Sequence, residues 1–124
     1  MSRSTNALTA LATTLRRFPA FARRPTEDET QLYFRRALRA ASEDRHDVAM
    51  VFCGKALETD PAHLPTRLLA AHIHDRVLRD YDAAVAAYRK VITLAGYDST
   101  NPYCAAAQKA LDALISKLAV GGRP

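Results

Sequence analysis

Apolar side chains recur along this chain at the spacing of one helix face, and polar or turn residues interrupt them at regular intervals. Leu8, Leu11, Leu15 and Phe18 fall at i, i+3, i+7 and i+10, and Pro19 ends that stretch. Thr26-Glu27-Asp28-Glu29 is a capping box whose acids suit the positive end of a helix. It opens a helix expected over 27–43, with Leu32, Phe34, Ala37, Leu38 and Ala41 apolar. A turn at 42–46 leads to a second helix, 46–58, carrying Val48, Met50, Val51, Phe52, Cys53, Ala56 and Leu57. Asp60-Pro61 closes it. Pro65 fits the first turn of a third helix, 65–79, and Asp80 caps a fourth, 81–95. Tyr81, Ala84, Val85, Tyr88, Val91 and Ile92 pack that helix, and Gly96 is its left-handed stop. Thr100 or Asn101 caps a fifth, with Pro102 in its first turn and Ala106, Ala110, Leu111, Leu114, Ile115 and Leu118 as its stripe. No stretch alternates with the period of a strand. The expected fold class is all-α.

The second and fourth helices are near copies. DVAMVFCGKAL from Asp47 and DAAVAAYRKVI from Asp82 align with Asp47 on Asp82, Ala49 on Ala84, Cys53 on Tyr88, Lys55 on Lys90 and Ala56 on Val91. Each pair is 35 positions apart. The first and third helices align better at 34, with Ala71 under Ala37, which puts one extra residue in the Leu78–Asp80 turn. A period near this length marks stacked helical repeats, in which each unit buries its apolar face on the next.

The residues at the repeated positions resemble the tetratricopeptide repeat, whose pattern places an aromatic and small residues at fixed points and a Pro at the close. Tyr33 takes the aromatic position of the first helix, Ala37 the small one, Ala49 and Ala56 those of the second helix, and Pro61 the close. Cys53 stands where the family prefers an aromatic; Arg36 and Ala40 depart from its Leu and Tyr, and Gly96 replaces the second closing Pro. Tyr103, Ala107 and Ala110 follow the first-helix positions once more. The resemblance covers 30–118 and implies two repeats plus a C-terminal capping helix. The implied architecture is antiparallel helix hairpins stacked as a short right-handed α-solenoid.

Charge divides the chain. Residues 1–26 hold Arg3, Arg16, Arg17, Arg23 and Arg24 and no acid. Of the 18 basic residues, 13 therefore remain in 27–124 against 13 acidic ones, so the net charge of +5 belongs to the leader. A Ser/Thr-rich, Arg-rich, acid-free amphipathic stretch resembles a mitochondrial targeting presequence; a basic arm touching a partner or a membrane surface is the other reading. The domains expected are 1–26 as leader or docking arm, 27–120 as the helical domain and 121–124 as a disordered tail. No apolar run is long enough to span a membrane. Cys53 and Cys104 form no C-x-x-C pattern, which favours a reducing compartment. Mitochondrial residence is expected, cytoplasmic residence being the alternative.

Candidate chemistry is sparse. His72 and His74, two apart on a helix, face different ways, while His46 and His63 lie between helices. No metal, cofactor or catalytic residue is expected, and P-loop, G-x-G-x-x-G and G-x-S-x-G motifs do not occur. The chain is expected not to be an enzyme. Arg35, Arg36 and Arg39 form a solvated face or a contact for an acidic partner. The resemblance implies a protein-binding scaffold whose first helices line a concave groove for a peptide or partner helix. Gln31, Phe34, Leu38 and Leu69 are the groove candidates, with His72 and Arg76 at its edge. The function expected is an adaptor or accessory subunit of a multiprotein complex. An RNA-binding helical-repeat protein is disfavoured by the neutral 27–124, since phosphate contacts need positive surface. A bacterial repeat protein with a membrane-associating N-terminus is a further alternative.

Overall fold

The computed structural model describes residues 27–121; the leader and the last residues of the expected tail lie outside them. Five helices follow one another: α1 (Glu27–Ser42), α2 (His46–Thr59), α3 (Leu64–Arg76), α4 (Tyr81–Leu94) and α5 (Pro102–Gly121). No strand occurs among the described residues. The fold is all-α, with boundaries within a few residues of those read from the sequence.

Local chemistry explains where each helix starts and stops. The Asp80 carboxylate accepts the Ala83 amide at 3.2 Å and caps α4. Asn101 caps α5, its Oδ1 accepting the amides of Tyr103 at 2.9 Å and Cys104 at 3.1 Å. Thr100 is engaged elsewhere, donating its hydroxyl and amide to Asp98. Gly96, at φ 69°, ends α4 as its lack of a Cβ allows.

The third helix stops at Arg76, short of the expected 79, because its chain end curls back. The Leu78 amide donates to the Ile73 carbonyl at 2.9 Å, and Arg79 takes a left-handed φ of 53°. The α1–α2 turn is built alike: Asp44 has φ 60°, and the Arg45 amide donates to the Ala40 carbonyl at 2.8 Å. The matching bond after α3 runs from the Asp80 amide to the His74 carbonyl at 2.9 Å. That bond spans one residue more than the bond from Arg45 to Ala40.

Packing follows chain order. α1 packs on α2, α2 on α3, α3 on α4 and α4 on α5. The alternate helices α1, α3 and α5 also approach their neighbours in that set, whereas the Cα atoms of α2 and α4 stay more than 8 Å apart. The larger core joins α3, α4 and α5 through Ala71, Ala84, Tyr88, Val91, Ile92, Cys104, Ala107, Leu111 and Leu114. A smaller one joins α1, α2 and α3 through Ala40, Ala49 and Ile73, with Leu69, Val48 and Met50 beside it. Residues paired across the two hairpins are buried alike: Ala37 with Ala71, Ala49 with Ala84, Cys53 with Tyr88 and Ala56 with Val91.

Two expectations about the core change. Leu32 and Leu38 of α1 are 37% and 43% exposed, and Thr30, Ala37 and Ala40 take the buried face instead. Small residues there let α1 approach α2 closely, leaving the leucines outside. In α5 the buried stripe is Cys104, Ala107, Leu111 and Leu114, one face at i, i+3, i+7 and i+10. Ala106, Ile115 and Leu118 are exposed.

Candidate partner groove

The groove candidates sit on α1 and α3, which adjoin directly. Phe34 meets the His63 ring edge-on, with centroids 5.5 Å apart. Gln31 lies within 3.1 Å of His63 Nε2 through its Oε1. The Thr66 hydroxyl is 2.7 Å from His63 Nδ1. An amide oxygen only accepts, so Nε2 carries the proton and donates to Gln31, and Thr66 donates to Nδ1. His63 thereby fastens the start of α1 to the start of α3. Below it, Thr30 and Thr59 exchange a hydroxyl hydrogen bond at 2.6 Å, tying α1 to α2.

A second polar cluster joins α3 to α4. The Tyr88 hydroxyl donates to Asp75 Oδ2 at 2.9 Å and lies 2.9 Å from His72 Nδ1. Since the hydroxyl proton goes to the carboxylate, His72 Nδ1 holds its own proton and donates to the Tyr88 oxygen. The His72 ring also stands edge-on to Tyr88 at 5.6 Å. Burial, followed by the Arg76 cation, holds the His72 imidazole below its ordinary pKa, with Asp75 pulling the other way. Burial and the bond to Asp75 push the Tyr88 hydroxyl above the ordinary tyrosine range.

The six candidates do not share one cavity. Gln31 and Phe34 meet through His63, and His72 is held by Tyr88. Leu69 packs against the Ala40–Ala49–Ile73 core and belongs to it. Leu38 lines a cavity of about 460 Å³ with Leu32, Arg35, Arg36 and Arg39 on α1. Arg76 lines one of about 210 Å³ between α3 and α5, with Asp75, Ala110, Ala113, Leu114 and Lys117. Lys117 lies over the Tyr81 ring at 4.8 Å and donates to its hydroxyl at 3.2 Å.

Sequence reasoning missed His63, Asp75 and Lys117. The His72–Asp75 spacing of one helical turn was a readable signal; the tertiary contacts of His63 and Lys117 had none. His74 faces away from His72, into a cavity of about 240 Å³ in the gap between α2 and α4. No group of three or more His, Cys, Asp or Glu side chains among the described residues could hold a metal ion. Cys53 is buried, and that burial pushes its thiol up to about 11; Cys104 is equally buried. Neither is placed to act as a nucleophile. No helix among the described residues is long and apolar enough to cross a membrane. No protein-family model, curated protein or solved structure matches this chain.

Proposed function

We propose that residues 27–121 form a short right-handed solenoid of tetratricopeptide-like hairpins that holds a helix or extended segment of a partner protein. The observation that carries the reading is the contact pattern. α1, α3 and α5 touch in succession while α2 and α4 stand apart. Helices in contact on one side and separated on the other give a curved stack, with α1, α3 and α5 on the inner wall. The matched burial at the 34- and 35-residue offsets supports the same reading.

Gln31, Phe34 and Leu38 on α1 and His72 and Arg76 on α3 are the proposed contact positions, spread along the inner surface and not gathered in one cavity. Apolar and neutral polar groups predominate, which suits an apolar segment better than a highly charged one. The role that follows is non-enzymatic: an adaptor or accessory subunit, directed or docked by residues 1–26, in a mitochondrial assembly.

Site-specific photo-crosslinking tests it in the full chain. A crosslinker at Gln31 or Arg76 should join the co-purifying partner, and one at Lys90 on α4 should not. Crosslinks from Lys90 alone, or loss of the complex on ribonuclease treatment, would overturn the groove assignment.

A further inference from the structure

We propose that the cavity between α3 and α5 is a carboxylate-binding pocket, which takes one glutamate side chain from the partner segment. The proposal rests on the inner surface being the binding face, and it names the chemistry that face selects. Both walls of the cavity are described: Asp75 and Arg76 on α3, and Ala110, Ala113, Leu114 and Lys117 on α5. Arg76 and Lys117 are exposed, one on each wall. Lys117 is already held in place. Its ammonium donates to the Tyr81 hydroxyl at 3.2 Å and lies 4.8 Å from the centre of that ring. An ammonium has three N–H groups, so two remain for an occupant. Arg76 adds a planar fork that matches the two oxygens of a carboxylate. Asp75 is the acid in the described lining, and its Oδ2 accepts the Tyr88 hydroxyl from α4 at 2.9 Å. Two cations against one carboxylate leave a net positive charge. All 13 acidic side chains of the protein lie within 27–121, so residues 1–26 and 122–124 bring none to this cavity.

The rest of the lining selects among occupants. Ala110, Ala113 and Leu114 give the cavity an apolar wall beside its two cations. A carboxylate on a methylene stem satisfies both parts: its oxygens meet Arg76 and Lys117, and its methylenes lie against the alanines. Inorganic phosphate gains nothing from that wall. A lysine or arginine would bring a third cation. An apolar side chain would strip water from two charges without replacing it. At about 210 Å³ the cavity holds one side chain and not a helix. The second methylene of glutamate covers more of the apolar wall than the single one of aspartate. One such acid sits within an otherwise apolar segment, in keeping with Gln31, Phe34 and Leu38 at the other contact positions.

The test is a nuclear magnetic resonance titration of the full, isotope-labelled chain, followed at the Arg76 Nε–H and at the Ala110 and Ala113 amides. The probes are the end-blocked peptide Ala-Leu-Glu-Leu-Ala, its counterpart with glutamine, and inorganic phosphate. The glutamate peptide should shift these signals and bind about tenfold more tightly than the glutamine peptide. Arg76→Gln with Lys117→Gln should abolish that preference. Both side chains are exposed, so the melting curve of the double variant should stay native. Asp75→Asn keeps an oxygen for the Tyr88 hydroxyl and removes the opposing charge, so it should raise the affinity for the glutamate peptide several-fold. A purely structural role for Asp75 would not produce that gain. Equal binding of the two peptides, or binding of neither, would overturn the proposal. So would phosphate that displaces the glutamate peptide at equal concentration. The groove reading fails separately, on crosslinks from Lys90 alone, whichever peptide binds.

Discussion

The Tyr88 hydroxyl donates to the Asp75 carboxylate at 2.9 Å, and this bond joins the centre of α4 to the end of α3. Tyr88 is fully buried, and the same oxygen serves His72. Tyr88→Phe keeps the ring but leaves Asp75 and His72 Nδ1 without their partner. The expected loss is about 1–3 kcal/mol, since half-buried groups recover part of their solvation. Urea unfolding followed by far-ultraviolet circular dichroism measures it; an unchanged midpoint would mean the cluster adds nothing to stability.

The same cluster makes stability depend on pH. Burial and Arg76 hold the His72 imidazole below the ordinary 6.5. As pH falls through that value, the unfolded chain takes up a proton that the folded chain refuses. Stability present above pH 6.5 is therefore lost progressively below it, down to the folded-state pKa. Melting temperatures at neutral pH and at pH below that value should differ more for the native chain than for His72→Gln. An equal difference in both would assign the dependence to other groups.

Arg79 pays a backbone penalty at φ 53°, where a Cβ is crowded. It is exposed and lies in a turn. Arg79→Gly is expected to stabilise the chain by about 0.5–1 kcal/mol, the relief of strain exceeding the entropy that glycine loses. Asp44→Gly, at the matching place in the first hairpin, should gain less, because aspartate tolerates this region better. Thermal melts of the two single variants decide both the sign and the order.

How much of this was legible in the sequence varies with the kind of information. Helix ends were readable, because Asp80, Asn101, Pro102 and Gly96 act locally through their own side chains or lack of one. The paired positions Ala37/Ala71 and Ala49/Ala84, at offsets of 34 and 35, were visible as well, and all four side chains are buried. The face of α5 was harder. Its composition is mostly alanine and leucine, and several stripes through it look equally apolar; only the position of α4 selects Cys104 and Ala107 over Ala106 and Ile115. The surroundings of the groove candidates were not legible. Leu69 and Leu38 have the same character, and tertiary packing alone sets one half-buried against the Ala40–Ala49–Ile73 core and leaves the other exposed.

Cys53 reports on the integrity of the first hairpin, and Cys104 on the packing of α5 against α3 and α4. Both side chains are buried, and Cys53 has its thiol raised to about 11. Since the thiolate is the reactive form, a disulfide reagent at mildly alkaline pH should modify neither at the rate of an exposed thiol. Both should react on addition of denaturant. Rapid labelling of Cys53 in native buffer would show that α2 opens independently of the rest.

Ala84 offers the sharpest test of the close crossing between α3 and α4. It is fully buried in the same cluster as Ala71. Ala84→Arg places a long cation among Tyr88, Val91 and the other apolar side chains of that cluster. Leaving a charge buried and unpaired costs about 3–5 kcal/mol, a large share of what a domain of this size has in hand. The variant should be unfolded or melt far below the native chain. Ala84→Gly separates packing from backbone effects: it removes one methyl and should cost about 1 kcal/mol through helix propensity, with any cavity adding to that. A native-like melt for Ala84→Arg would mean that α3 and α4 do not meet at this residue, and the register linking Ala49 to Ala84 would fall with it.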